Sequence, residues 1–373
     1  MKISGFARRR IHGLLRIAAT SAVCLRHCRW TDEPLASTLP RVAVAAPSSL
    51  PSRPADWRRV LKIIRELREP RDAPVDSMGT ACLADRTQSD DVWAYTTLVA
   101  AILSSRTRDQ ATAEAMAALK RHGLTPRNIH ENTDVDKLDG LISKVNFHGR
   151  KANYIKETTR LLVEKYGGAT PKSAKLLMDL PGVGPKVANI VVTALTGQAE
   201  GIAVDTHVHR LANQLGWANS TTAEKTRRAL EEWLPRREWA ALNPMLVGLG
   251  QQLQSQKSLL LQRCVNAGSP VDALRLVARL GLPLTHRDSE TGETVLFWAA
   301  ATGRWISVRW LLQSAEAEGF AVASAGIKDR RGRTAASVAV HGIARRALEE
   351  AERQSATGSD SSRKAATDSS RME

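Results

Sequence analysis

Apolar residues enter a helical register at Trp57, with Val60, Ile63, Ile64 and Leu67 recurring at spacings of three and four. The same periodicity predicts helices over 92–104, 109–121, 135–144, 148–166, 172–179, 185–196, 205–215, 222–234 and 237–252, with few alternating β-branched runs between them. Gly123, Pro126, Gly167, Gly168, Pro171 and Pro181 punctuate the pattern. Together these segments predict an all-α domain spanning residues 56–256. Pro34, Pro40, Pro47, Pro51 and Pro54 mark the preceding stretch as a linker.

Past residue 260 the pattern changes. The run Thr291-Gly292-Glu293-Thr294-Val295-Leu296-Phe297-Trp298-Ala299-Ala300 resembles an ankyrin unit, a turn followed by a Thr-led, Ala-rich helix. A second copy starts at Arg331-Gly332-Arg333-Thr334-Ala335, 40 residues on. Because an ankyrin unit is about 33 residues long, an insertion is expected around 314–322. Residues 262–287 read as a degenerate preceding unit with Leu274, Leu276 and Leu280 on its apolar face. The resemblance implies an ankyrin-like segment over 262–350 that engages a protein partner, an unrelated helical extension being the alternative. Residues 351–373 are rich in Ser and Thr and read as a disordered tail.

Composition narrows the partner. The 373 residues hold 54 Lys+Arg against 38 Asp+Glu, a formal charge of +16 that favours a polyanion. No run of about 18 apolar residues exists, so no membrane span is expected. Cys24, Cys28, Cys82 and Cys264 are too scattered to indicate a disulfide framework. The first 31 residues lack Asp and Glu, and interleave Arg8, Arg9, Arg10 and Arg16 with Ile11, Leu14, Leu15 and Ile17. That is the composition of an organelle transit peptide, or else of a basic arm lying on phosphates. Residues 1–55 are thus read as leader and linker.

The chemistry concentrates in Leu180-Pro181-Gly182-Val183-Gly184-Pro185-Lys186. A helix ends there, a Gly-rich turn follows, and a second helix opens on Pro185, a residue favoured at a first helical position. Such a hairpin aims free backbone N–H groups and a helix N-terminus at one point, which suits a DNA phosphate without reading bases; a plain helical corner is the alternative. Lys186 lies on the first turn, where the helix dipole disfavours its cation and favours the neutral, nucleophilic amine. Nineteen residues later, Ile202-Ala203-Val204 delivers Asp205 to the start of another helix, as an N-cap or as a partner for Lys186.

These two motifs, Leu-Pro-Gly-Val-Gly-Pro-Lys and Val-Asp-Thr-His-Val-His-Arg, resemble those of the endonuclease III family, helix-hairpin-helix DNA glycosylases. Asp72-Ala73-Pro74-Val75-Asp76, Leu103-Ser104-Ser105, Thr107, Asp109, Glu231-Glu232-Trp233-Leu234-Pro235 and Leu246-Val247-Gly248 extend the resemblance to eukaryotic members, over residues 57–252. It implies a bifunctional enzyme of base excision repair that excises oxidised pyrimidines and cuts abasic-site DNA by β-elimination. Lys186 matches the family's Schiff-base lysine and Asp205 its essential aspartate. Leu180, Gly182, Val183, Gly184, Lys186, Arg106, His207 and Arg210 are the expected DNA-binding residues, double-stranded DNA the expected partner, and nucleus, mitochondrion or another DNA-containing organelle the expected location.

The chain departs from the family twice. Members usually carry four cysteines binding a [4Fe–4S] cluster after Leu-Val-Gly-Phe-Gly-Gln-Gln. Here Gly250-Gln251-Gln252-Leu253-Gln254-Ser255 is followed by Cys264 alone, and one thiolate cannot hold a cluster that needs four, so no metal or cofactor is expected. Arg106 stands where the family places a Gln associated with the space left by the flipped base. It can fill that space or be an ordinary surface residue. A non-catalytic DNA-binding scaffold is the competing reading, which the presence of both Lys186 and Asp205 opposes.

Overall fold

A computed structural model of the chain describes residues 53–369, with side chains through Ser355. The leader and most of the linker lie outside the described residues, as does the very end of the tail. Among the described residues the regular structure is helical, apart from two isolated β-bridges.

The helices form two hydrophobic cores. One gathers α4 (Asp90–Ser104), α5 (Asp109–His122), α6 (Pro126–Glu131), α7 (Val135–Leu141), α8 (His148–Tyr166), α9 (Ala174–Met178) and α10 (Pro185–Thr196). Its axis is α4, buried continuously from Ala94 to Leu103, capped at Ser89 and given Asp90 and Asp91 in its first turn, where negative charge is favoured. The other core joins α1 (Trp57–Leu67), α11 (Thr206–Gln214), α12 (Ala223–Trp233) and α13 (Trp239–Ser255) to six C-terminal helices. Two short helices, α2 (Pro74–Met78) and α3 (Thr80–Leu83), bridge the cores by packing on α13, α5 and α4.

The helical periodicity anticipates the long helices, and the differences sit where it is too short to register. The α2, α3 and α6 helices span four to six residues, less than two turns, and Pro74 and Pro126 open two of them. The helix expected over 135–144 ends at Leu141.

The C-terminal helices form three consecutive pairs: α14 (Lys257–Asn266) with α15 (Pro270–Arg279), α16 (Val295–Ala301) with α17 (Trp305–Gln313), and α18 (Ala335–Val338) with α19 (Gly342–Ser369). The expected apolar residues Leu274, Leu276 and Leu280 are all buried. Turns with Gly292 and Gly332 at φ +76° and +75° precede the second and third pairs. In each turn an aspartate, Asp288 or Asp329, accepts backbone N–H groups from the residues just beyond it. The last helix, α19, continues through Ser369, into the stretch expected as a tail. No proline interrupts this stretch, and its Ala, Glu, Arg and Lys have good intrinsic helix propensity.

Candidate active site at a helix hairpin

The hairpin between α9 and α10 is built on α8. Leu180 N–H donates to Leu177 O, Val183 N–H to Leu180 O, and Thr158 Oγ1 holds Pro181 O at 3.1 Å. Gly182 has φ +78°, and a Cβ there would lie 2.6 Å from Tyr154 Cδ2. Both the left-handed backbone and the packed ring therefore demand glycine. Leu180 and Val183 are core residues, 4% and 7% exposed. Their side chains anchor the turn, and what faces outward is exposed backbone at Gly182, Gly184 and Pro185. The helical ladder of α10 starts with Ala188 N–H donating to Gly184 O. The N–H groups of Lys186 and Val187 thus have no partner in their own helix.

Lys186 and Asp205 come together. The amine Nζ lies 4.0 Å from Asp205 Oδ2, with side chains 32% and 14% exposed. Asp205 is indeed the N-cap of α11, its Oδ1 accepting from Val208 N–H at 2.8 Å. One oxygen caps the helix and the other faces the amine. The segment leading to it is pinned, because Ile202 N–H donates to Glu231 Oε1 at 2.7 Å and Asn243 Nδ2 to Ala203 O at 2.8 Å. Lys186 lies on α10, which contributes Val187 and Ala188 to one core, and Asp205 caps α11, which contributes Val208 and Leu211 to the other, so the site sits where the two cores meet.

His207 and Arg210 follow on α11. The His207 ring is wedged against α13, where a Cβ on Gly250 would fall 2.4 Å from its Nδ1. Burial lowers its pKa, against the opposing pull of the Asp205 carboxylate, so the ring is held toward its neutral form. Its buried Nδ1 has no hydrogen-bond partner. His209 is structural, its Nδ1 2.6 Å from Thr226 Oγ1. Arg210 bonds Gln214 Oε1 through Nη1, while its Nη2 is buried without a partner.

Arg106 occupies an exposed turn after α4 in the left-handed conformation, φ +54°. Its carbonyl accepts from Asn146 Nδ2 at 2.7 Å. Next to Asn146, Phe147 is also left-handed, φ +59°, and 55% exposed despite being aromatic. Below them Lys151 is buried, its Nζ donating to Leu103 O, Ser105 O and Thr107 Oγ1 at 2.7, 2.6 and 3.0 Å. Burial, and secondly the Lys186 cation, push its pKa down to about 8. Sequence motifs do not single out Phe147 or Lys151. One signal for Lys151 exists: a lysine four residues before Ile155 lies within the apolar stripe of α8.

The surrounding sequence agrees with this geometry. Residues 99–236 match the HhH-GPD superfamily of base excision DNA repair proteins. Endonuclease III-like protein 1 of Bos taurus is 46% identical over 216 residues, 57% of this chain and 70% of that protein. The chain belongs to the endonuclease III family. It is accordingly a DNA glycosylase and abasic-site lyase of base excision repair. The chloroplastic endonuclease III homolog 1 of Arabidopsis thaliana is 39% identical, over 58% of this chain and 59% of that one. A solved structure of a non-covalent endonuclease III–DNA complex aligns over 58% of this chain and 98% of that chain, at 24% identity and a TM-score of 0.45.

Among the described residues no donor set matches the four cysteines of the endonuclease III cluster. Among the described residues are two free cysteines. Cys264 is fully buried within α14, where desolvation pushes its thiol pKa far up, and Cys82 Sγ is 3.1 Å from Asp76 O at the surface. No group of three or more His, Cys, Asp or Glu among the described residues could hold a metal ion. After α13, where cluster ligands would follow, only Gln256 intervenes before α14.

Proposed function

We propose that this endonuclease III family member excises oxidised pyrimidines from double-stranded DNA and then cuts the strand at the abasic site through a Schiff base on Lys186. The carrying observation is the 4.0 Å approach of Lys186 Nζ to Asp205 Oδ2 at the adjoining N-termini of two helices. The neutral amine attacks C1′ as the C1′–N bond breaks and its electron pair leaves with the base, which takes up a proton. Asp205 stabilises positive charge growing on the sugar and accepts a proton from Nζ. Ring opening gives an iminium that acidifies the C2′ proton; its loss expels the 3′ phosphate oxygen, and water releases Lys186.

The DNA surface in this reading consists of the hairpin backbone at Gly182 and Gly184, the first-turn N–H groups of α10, and Lys186, Arg106, Arg210 and His207. A helix N-terminus with free N–H groups suits a phosphate, and the net charge of +16 favours the polyanion. The damaged base must leave the stack to reach Lys186. Borohydride reduction of a reaction on abasic-site DNA tests the chemistry. It is expected to trap the protein covalently, and Lys186→Gln to lose the adduct while keeping DNA affinity. A full adduct in the variant removes Lys186 from the mechanism; DNA binding without any wild-type adduct favours the non-catalytic scaffold.

The same reading extends to the rest of the chain. The three C-terminal helix pairs act as an ankyrin-like platform for a protein partner, supported by the recurrence of the Asp288 and Asp329 turns and of Thr294 and Thr334 as N-caps. The enzyme works without an iron–sulfur cluster. Its location is the nucleus, the mitochondrion or another DNA-containing organelle, on the acid-free, Arg-rich composition of residues 1–31.

A further inference from the structure

On α17, Ser307, Val308, Trp310 and Leu311 turn inward, and on α19 Ala344 and Leu348 do the same. The two helices pack together. Matching Ser307 with Ala344 and Leu311 with Leu348 brings Ile306 and Ile343 to equivalent positions on adjacent helices. Both point away from the core, 73% and 47% exposed, and Val340 is 70% exposed. Val340 N–H donates to Ala300 O at 3.2 Å, which ties the approach to α19 to the end of α16, just ahead of α17. The Trp305 indole and the His341 ring stack across this join, their centroids 6.3 Å apart and their planes within 8°. Single exposed aliphatic residues are ordinary. Here three gather around one stacked ring pair, and contiguous apolar patches are what mark docking sites.

Charge says what covers the face. Arg309 and Arg346 stand three residues beyond the two isoleucines and so on the same helix faces; both are exposed, as are Arg304 and Arg345. No Asp or Glu occurs from Thr294 through Ala315 or from Arg330 through Leu348. The ion pairs of the C-terminal helices use Arg263, Arg275 and Arg333 instead. A second copy of this chain, at +16, would bring the same sign to the face, and so would the Arg-rich residues 1–31. Duplex DNA has the right charge, but its phosphates offer nothing to isoleucine and valine. We infer that this face docks an acidic, amphipathic helix of a protein partner, with its apolar side on Trp305, Ile306, Val340 and Ile343 and its carboxylates against Arg309 and Arg346. Packed helices lie roughly 8–10 Å apart, and positions i and i+7 of a helix are separated by about 10 Å, so two turns of a partner lying across the pair reach both isoleucines. This deepens the ankyrin-like platform reading and rests on it.

The test selects displayed random peptides of about 16 residues, roughly four helical turns, on the full chain with excess duplex DNA present to occupy the repair face. Enriched sequences are expected to carry Leu, Ile or Phe on one helical face and Asp or Glu beside it. A selected peptide, made synthetically and followed by fluorescence anisotropy, should bind the double variant Ile306→Ala, Ile343→Ala at least about tenfold more weakly. Arg309→Glu with Arg346→Glu should weaken binding and remove most of its salt dependence. Leu259→Ala, at an exposed leucine of α14, should bind as wild type, and abasic-site trapping should be unchanged in all these variants. Peptides that ignore the isoleucine substitutions would overturn this face while leaving the platform standing; failure to select any peptide would overturn the platform itself. A basic consensus, a loss of duplex affinity in the isoleucine variant, a dimer that this variant dissolves, or displacement of the peptide by a synthetic copy of residues 1–31 would each give the face to another occupant and overturn the proposal.

Discussion

Asp205 divides its carboxylate between two tasks, capping α11 through Oδ1 and facing Lys186 through Oδ2. The division makes stability and chemistry separable. Asn caps a helix about as well as Asp, whereas Ala costs typically about 1 kcal/mol. Asp205→Asn should therefore melt within about 0.5 kcal/mol of wild type, yet lose about 10²–10⁴-fold in adduct formation with abasic DNA. Thermal denaturation alongside single-turnover trapping measures both. A variant that traps at the wild-type rate would leave Asp205 as a cap only. From sequence the two roles were indistinguishable, because an Asp at a helix start satisfies either; the approach of Lys186 separates them.

Among the elements, the junction of α13 with α14 departs furthest from the family pattern. A helix enters the core here after one intervening residue, and its cysteine is buried with its thiol far from ionisation. Arg263 of α14 instead pairs with Asp72, whose carboxylate also accepts from Gln252 Nε2 at 2.8 Å. That arrangement closes the end of the catalytic unit with an ion pair and apolar packing. Dialysis against a strong chelator is thus expected to leave melting temperature and DNA trapping unchanged, with purified protein showing no iron–sulfur absorption. Four iron atoms per chain, the complement of such a cluster, would overturn this.

The described residues fall within one compact unit, Ser49–Glu373. A single apolar core runs from Trp57 of α1 through Leu246 of α13 and Leu274 of α15 to Leu348 of α19. Arg59 pairs with Asp272, and Gly268 N–H donates to Glu66 Oε1 at 2.5 Å, so α1 is held by the first C-terminal helix pair. A shared core implies shared cooperativity. Leu274→Ala, at a fully buried position, should cost about 2–5 kcal/mol and lower a single melting transition that coincides with loss of abasic-DNA trapping. Two separated transitions, with trapping retained through the first, would show that the C-terminal helices unfold alone.

The local sequence by itself determined the long helices between residues 57 and 255, the hairpin and the two residues that meet in it. Each of these depends on short-range physics: apolar spacing near 3.6 for the helices, Pro185 and Gly182 for the turn, and a capping carboxylate at Asp205. Tertiary packing decided what short-range physics leaves open. It turned Leu180 and Val183 inward, where burying their apolar surface outweighs presenting it to DNA. It wedged His207 against Gly250 and placed Lys151 beneath the Arg106 turn, pairings set by residues 43 to 46 positions apart in the chain. It also merged the C-terminal helix pairs with the repair domain, because α1, α13 and α14 each present an apolar face that is buried only when all three pack together.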